Sequence, residues 1–298
     1  MAMVGDRALV IVTGAGGHIG REVCRLLAIA EFEFLPVDID PDAKQGILAC
    51  DLRLKDDISR LFRAHPVRAV IHLAGVLPSA FHRDPFTGVD VNLSGCFELM
   101  RQAVQASVKR FVFASSMSVY GSSRTSDLLT EDDIAVPDDP YGASKRVVEL
   151  VGENLAHSQA MEFVSLRIAR VIGLGIKKTS SPWRAQIFEV PSPEGPIRIP
   201  FEPMTKLSLV HAEDVARMLV TLAVAPHLRS SAYNTPAETW EVRRLKEIVE
   251  EARGMRVELA DGPHGGPACD GGRFAKEFGF RLRGLRERLS VGCGETLS

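Results

Sequence analysis

Aromatic residues are scarce in this chain. Tyrosine occurs three times and tryptophan twice in 298 residues, so a tyrosine in a chemically useful pattern carries weight. Cysteine is also rare. Cys24, Cys50, Cys96, Cys269 and Cys293 are odd in number and scattered, with no CxxC. His264 with Cys269 is a lone pair of candidate ligands, so neither a disulfide framework nor a metal site is expected. There is no excess of charge of either sign: 36 Lys and Arg against 38 Asp and Glu leave a net −2. Nucleic acid and anionic membranes are thereby excluded as expected partners. Long apolar runs are missing, and Ala8–Val12 is far too short to span a bilayer. The N-terminus lacks the basic region and cleavage site of a leader, and a reduced, cytoplasmic protein is expected. What remains is ordinary globular material, 45% apolar and 25% charged, long enough for one large domain with or without a small one.

The first half alternates regularly. Ala8–Val12, Phe32–Val37, Ala69–Leu73, Phe111–Ala114 and Phe163–Leu166 are short apolar runs that predict strands buried on both faces. Between them lie helical patterns through Val23–Leu27, Ile58–Phe62, Val91–Val104 and Tyr141–Leu155, the last entered by Pro140. Such alternation implies a parallel sheet with helices on both faces. Beyond residue 172 the rhythm loosens. Residues 173–204 are dense in Pro and Gly, which predicts a loop-rich segment. Val215–Val224 and Val242–Ala252 read as helices, Arg256–Leu259 as a short strand. The expected fold is α/β: a Rossmann-type doubly wound parallel sheet over 1–172, then a small C-terminal substrate-binding cap over 173–298. Residues about 205–235 are expected to return to the first domain.

Thr13-Gly14-Ala15-Gly16-Gly17-His18-Ile19-Gly20 sits between a predicted strand and helix. Gly14 permits the tight turn, Gly17 lets backbone approach a pyrophosphate, and Gly20 lets the helix pack closely on the sheet. The GxxGxxG spacing alone is a modest signal, since such turns also occur without a ligand. Asp38 closes the second strand, where a carboxylate can accept both hydroxyls of an adenine ribose and repel a 2′-phosphate. NAD is therefore favoured over NADP. Asp40 competes for the same role, and either could be a solvated turn carboxylate.

Tyr141 and Lys145 form a YxxxK pair on one helix face. An ammonium near a phenol favours the phenolate, so a lowered tyrosine pKa is expected. Such a tyrosine can exchange a proton with a substrate hydroxyl. Ser115-Ser116-Met117-Ser118-Val119-Tyr120-Gly121 follows the fourth predicted strand, at the sheet end where ligands collect. A serine there can hold the reacting oxygen, or simply cap a loop.

Taken in order, TGAGGHIG, Asp38, Cys50-Asp51-Leu52, His72-Leu73-Ala74-Gly75, Asn92, SSMSVYG and YGASK resemble an extended short-chain dehydrogenase/reductase of the NAD-dependent epimerase/dehydratase family. The resemblance covers about residues 8–225. It implies Ser116 as the catalytic Ser/Thr, Tyr141 as acid/base and Lys145 as the ribose-binding lysine. It implies His18 and Ile19 over the pyrophosphate, Asp51 and Leu52 at the adenine, and Leu73, Ala74 and Gly75 beside the cofactor, with Asn92 near it. A homodimer through the Val91 and Tyr141 helices is implied as well.

The departures narrow the chemistry. Met117 and Ser118 stand where family dehydratases carry acids, so water elimination is not expected. Arg170 and Leu207 stand where nucleotide-sugar enzymes carry an Asn and a diphosphate-gripping Arg, although Lys206 adjoins the second. Arg170, Ser180 and Arg184, in the donor-rich Lys177–Arg184 region, suggest a smaller anionic substrate such as a sugar acid; the plainer alternative is a solvated basic loop with Trp183 packed on the core. The expected activity is NAD-dependent hydride transfer to or from a secondary alcohol of a sugar, with net dehydrogenation slightly favoured. An epimerase with tightly held cofactor is one alternative, and a non-catalytic NAD(H) sensor another.

Overall fold

The computed structural model describes residues 9–64, 66–122, 128–175, 181–189, 195–260, 262, 265–266 and 268–290. The elements of the first half run β1 (Leu9–Thr13), α1 (His18–Ile29), β2 (Phe34–Asp38), β3 (Leu48–Ala49), α2 (Lys55–Arg63), β4 (Val67–His72), α3 (Pro78–Arg83), α4 (Pro85–Val89), α5 (Cys96–Gln105), β5 (Arg110–Ser116), β6 (Leu128–Leu129), α6 (Pro140–Ser158) and β7 (Glu162–Ile168). They are followed by β8 (Arg170–Ile172), α7 (Trp183–Gln186), β9 (Ile197–Ile199), β10 (Lys206–His211), α8 (Ala212–Val224), β11 (Ala232–Asn234), β12 (Glu238–Glu241), α9 (Val242–Arg253), β13 (Val257–Leu259), β14 (Ala268–Cys269), α10 (Gly272–Phe278) and α11 (Leu285–Ser290).

Seven strands form one sheet in the order β11-β7-β5-β4-β1-β2-β3, and every pairing within it is parallel. Because strand side chains alternate, each central strand feeds two cores. Val10 and Val12 join Val23 and Leu27 of α1 and Val215, Leu219 and Leu222 of α8 on one face. Ile11 joins Ile58 and Leu61 of α2, Leu99 and Met100 of α5 and Val148 of α6 on the other. The short apolar runs thus become strands covered on both sides, as a parallel sheet requires.

The later chain builds a third core. Trp183, Ile187, Ile199, Leu207, Leu209, Val242, Leu245 and Leu285 pack together, framed by the small sheet β12-β10-β8 and the pair β13-β9. Two strands of the seven-stranded sheet escape the sequence pattern. β3 has two residues and β11 three, too short to show a period. The expected 173–204 loop also contains α7 and β9. The helix expected to start at Val91 opens instead with a π-helical turn, Asp90–Gly95, that continues into α5. Among the described residues no helix is long and apolar enough to cross a membrane.

Candidate functional site

A cleft of about 1250 Å³ opens at the C-terminal ends of β1, β4 and β5. It lies where the chain, having run from β1 to β2 and β3, returns to the other side of β1, the point at which doubly wound sheets bind ligands. The volume exceeds the ~300–1,000 Å³ of a single drug-sized site, leaving room for a dinucleotide and a second ligand.

The glycine turn forms its floor. Gly14 has φ +70°, and a Cβ there would lie 2.7 Å from the Ala74 backbone nitrogen. A Cβ on Gly20 would lie 2.2 Å from the Gly14 carbonyl oxygen, so α1 packs as tightly on the turn as the sequence anticipates. Gly17 is the N-cap of α1 and brings no side-chain cap. The N-terminal amides of the helix therefore stand beside the cleft with the partial positive charge that suits a phosphate. Asp38 is built into the same turn. Its Oδ2 accepts from the Gly16 N–H at 2.9 Å and its Oδ1 from the Asp40 N–H at 3.1 Å, which fixes this carboxylate at the cleft.

His18 and Ile19 also line the cleft. The Nε2 atom of His18 is buried with no hydrogen-bond partner among the described residues, and burial lowers its pKa despite nearby Glu22. Leu73 and Ala74 are pinned to Thr13, whose carbonyl accepts from the Leu73 N–H at 3.2 Å and whose hydroxyl accepts from the Ala74 N–H at 3.3 Å. Gly75 sits so close that a Cβ would meet Asn92 Oδ1 at 3.2 Å and Lys145 Nζ at 3.7 Å. Asn92 is committed to the backbone: its Oδ1 accepts from Val76 N–H at 2.7 Å and its Nδ2 donates to Val76 O at 3.0 Å. It shapes the loop beside the cofactor place. A π-helical turn, a form frequent at functional sites, presents it. Asp51 spends its carboxylate on Arg53, which pairs with it at 2.6 Å and holds its pKa low. Leu52 is buried, its carbonyl against Gly95.

Ser116, Tyr141 and Lys145 converge from two elements. Asp139 caps α6, accepting from the N–H groups of Tyr141 at 2.8 Å and Gly142 at 3.0 Å. A Cβ on Gly142 would lie 2.4 Å from Ser118 O. The helix can thus rest directly on the turn after β5 and bring Tyr141 to Ser116. The Ser116 hydroxyl is near enough to the phenol to favour its ionised form. Ser116 Oγ also donates to Ser118 Oγ at 3.1 Å. Lys145 Nζ donates to the Ala114 carbonyl at 2.9 Å and lies 4.7 Å from the Phe113 ring centroid and 5.7 Å from that of Tyr141. Burial lowers the Lys145 ammonium to about 8, while Cys96 and Glu149 raise it.

The expected lowering of the Tyr141 phenol is not met in this arrangement. Burial pushes it up to about 12, the Ser116 hydroxyl pulls it down, and Asp139 adds to the rise. The Lys145 ammonium is directed at Ala114, so desolvation of the phenolate wins.

At the other end of the cleft Arg170 and Arg184 line the wall. Burial lowers both guanidinium pKa values, and Arg184 pushes Arg170 further, to about 10. Arg170 stacks 5.0 Å over Phe201 and donates through Nη2 to Gly265 O at 3.3 Å, while its Nε is buried without a partner among the described residues. Trp183 is fully buried with an edge on Phe201, so the tryptophan belongs to the core while the arginine beside it belongs to the cleft. Lys177, Lys178, Thr179 and Ser180 lie outside the described residues. Lys206 is exposed on β10, away from the cleft lining. His211 caps α8, and Asp214 is in its first turn, bound to Arg217 and Arg288. Among the described residues no cluster of His, Cys, Asp or Glu could hold a metal ion.

Sequence reasoning missed two groups. Ser118 touches Ser116, and its signal was only that it replaces an acid. Glu149 and Arg167 form a fully buried ion pair behind Ser115, for which no pattern stands out in one sequence.

Comparison with known proteins adds the following. The family model described as NAD dependent epimerase/dehydratase family matches residues 10–234. The UDP-glucose 4-epimerase of Yersinia pestis is 30% identical over 158 residues, covering 48% of this chain and 46% of that protein. The L-arabinose 1-dehydrogenase (NAD(P)(+)) of Haloferax volcanii is 28% identical over 174 residues, covering 54% and 66%. The matched region thus spans about half the length of the curated epimerase. Among solved structures, the Thermus thermophilus UDP-glucose 4-epimerase in complex with NAD is 25% identical with a TM-score of 0.81, covering 95% of this chain and 96% of its own.

Proposed function

The chain belongs to the NAD-dependent epimerase/dehydratase family, and from that premise we propose that it is an NAD-dependent oxidoreductase acting on a secondary alcohol or ketone of an anionic sugar derivative. The residues present fit the dinucleotide. Gly14, Gly17 and Gly20 leave a cradle that a Cβ would fill or distort, and Asp38 is fixed where the adenine ribose would lie; His18 lines the same cleft. Ile19, Asp51, Leu52, Leu73, Ala74 and Gly75 complete the surround. When bound, NAD would accept or return the hydride. Tyr141 would take the hydroxyl proton, Ser116 would hold the reacting oxygen, and Lys145 would bind the nicotinamide ribose. The buried phenol at about 12 needs help to ionise, which a positive charge bound beside it would give.

The observation that carries the substrate class is the Arg170–Arg184 pair. Both guanidiniums line one cleft, and an anion bound there would meet the bidentate fork that Arg offers. A sugar acid or sugar phosphate answers that chemistry, with Ser180 as a further donor in this reading. The Haloferax dehydrogenase supports net oxidation of a sugar hydroxyl, and the UDP-glucose epimerases support the alternative in which the cofactor is retained and the hydride returned. Burying Lys145 and Tyr141 argues against a non-catalytic NAD(H) sensor, which would gain nothing from a desolvated acid/base pair.

Residues 1–172 serve as the cofactor half in this reading. The small sheet and third core form the substrate cap, and about 205–235 return to the main sheet through α8 and β11. The homodimer expected through the Val91 and Tyr141 helices is supported on the α6 side by the exposed stripe Val147, Leu150 and Val151, an i, i+3, i+4 face; α4, packed on α6, adds exposed Phe86 and Val89. A cytoplasmic setting agrees with Cys24, Cys50, Cys96 and Cys269 all being free. The test is a screen of uronic acids and sugar phosphates for NADH absorbance, with Tyr141→Phe alongside. Turnover should fall by orders of magnitude in the variant with NAD affinity kept; an unchanged rate overturns the assignment.

A further inference from the structure

Behind the catalytic groups lies a carboxylate that the proposed chemistry does not use. Glu149 is fully buried, one helical turn beyond Lys145 on α6. Four donors reach it. Ser115 Oγ donates to Oε1 at 2.7 Å, Arg167 donates Nε to Oε1 at 3.0 Å and Nη2 to Oε2 at 2.9 Å, and Arg146 donates Nη1 to Oε2 at 3.0 Å. Ser115 precedes Ser116 on β5, and Arg167 lies on the adjacent strand β7. One side chain therefore joins the strand end that carries Ser116, the helix that carries Lys145, and β7. Arg167 Nη1 extends the chain of contacts to the Tyr120 hydroxyl at 2.7 Å, which reaches Asn234 Oδ1 at 2.9 Å; Asn234 Nδ2 then donates to Leu129 and Asp270 carbonyls at 3.2 Å.

A packed apolar residue would serve stability alone at least as well, since replacing a buried ion pair by hydrophobic side chains is often neutral or stabilising. We propose that Glu149 is a positioning residue, which locks the Lys145 face of α6 to the Ser116 end of β5 and supplies the negative charge that keeps the Lys145 ammonium in a dry site. The role of Lys145 toward NAD rests on the functional reading above; the effect of Glu149 on Lys145 does not.

The groups facing Lys145 define the balance. From β5 come the Ala114 carbonyl and the Phe113 ring, from β4 His72, from α5 Cys96, and from α6 Tyr141 and Glu149. His72 is neutral, held down to about 3 by burial and by Lys145. Cys96 is a buried thiol pushed up to about 12, hence uncharged. Tyr141 is uncharged at neutral pH. Glu149 is thus the anionic side chain of this set. Arg146 and Arg167 compete for it.

The experiment is a pH titration of lysine side chains by carbon NMR on the full chain, without and with NADH, using Lys145→Met to assign the signal. In Glu149→Gln, which keeps an acceptor for Ser115 but removes the charge, the Lys145 midpoint should fall by about 1 pH unit or more. The alkaline limb of NADH affinity, read by fluorescence, should move to lower pH with it. Glu149→Asp should restore most of the shift. An unchanged midpoint in folded Glu149→Gln overturns the proposal. Should that variant fail to fold, Arg146→Gln, at a partly exposed position, removes a competing cation and should move the midpoint upward; no movement there overturns the proposal equally. None of these readings requires turnover, so failure of the sugar screen and failure of the Glu149 proposal are distinguishable.

Discussion

Lys145 reaches across the face of Phe113 to the carbonyl of Ala114, its Nζ 2.9 Å from that oxygen. This contact gives the buried ammonium an acceptor, and it draws the charge away from the Tyr141 phenol. The group that would bind a ribose is therefore stored against the protein's own backbone. A buried cation with one neutral acceptor is costly.

The cost is measurable. Lys145 titrates near 8 in the folded chain and near 10.5 in the unfolded one. Between these values the unfolded chain binds the additional proton, so stability rises with pH through that window and the full cost is present below it. Lys145→Met should stabilise the protein at pH 7 by about 1–3 kcal/mol, after allowance for the lost Ala114 hydrogen bond. The gain should shrink above pH 8 and disappear near 10.5. Denaturant midpoints of both proteins at pH 7 and pH 10.5 check this, and a destabilised variant at neutral pH would refute it.

Asp38 sets the cofactor. It is oriented by Gly16 and Asp40 N–H groups, and it places a negative charge where a 2′-phosphate would have to sit. Asp38→Asn keeps an acceptor for the turn but removes that charge. NADH should bind about tenfold more weakly, the loss of one charge-assisted bond, while NADPH affinity should rise. Fluorescence titration with both nucleotides gives the ratio, which an irrelevant carboxylate would leave unaltered.

Arg170 and Arg184 separate binding from folding. Arg170→Leu removes a desolvated cation that its neighbour repels. The apparent KM for an anionic sugar should rise about 10- to 100-fold, with NADH affinity unaffected and Tm unchanged or higher. A lowered Tm with unaltered KM would make Arg170 a structural residue. Steady-state kinetics and a thermal melt suffice.

Much of this is legible in the sequence because the relevant signals are local. The turn Gly14–Gly20 and the Tyr141–Lys145 pair each lie within one turn or element, and their spacing states what backbone and helix geometry require. The central strands are visible because burial on both faces leaves an unbroken apolar run. What stays hidden depends on long-range pairing. β11 has three residues and is a strand because β7 lies beside it. Glu149 meets Arg167 and Ser115 only once β5, β7 and α6 are assembled. The Tyr141 phenol departs from its expected direction for a related reason: i, i+4 spacing places Lys145 nearby, but the direction of its Nζ is decided by β5.

The π-helical turn at Asp90–Gly95 bears on how this segment can change in length. An α-helix advances about 100° per residue. Excising one residue from the turn would let it relax into regular helix, and would swing Asn92 by that angle relative to α5, off Val76. The more regular helix would lose the clamp on the cofactor loop. Insertions and deletions here are consequently not neutral, although the segment is helical throughout: its irregular residue count is itself what aims the asparagine.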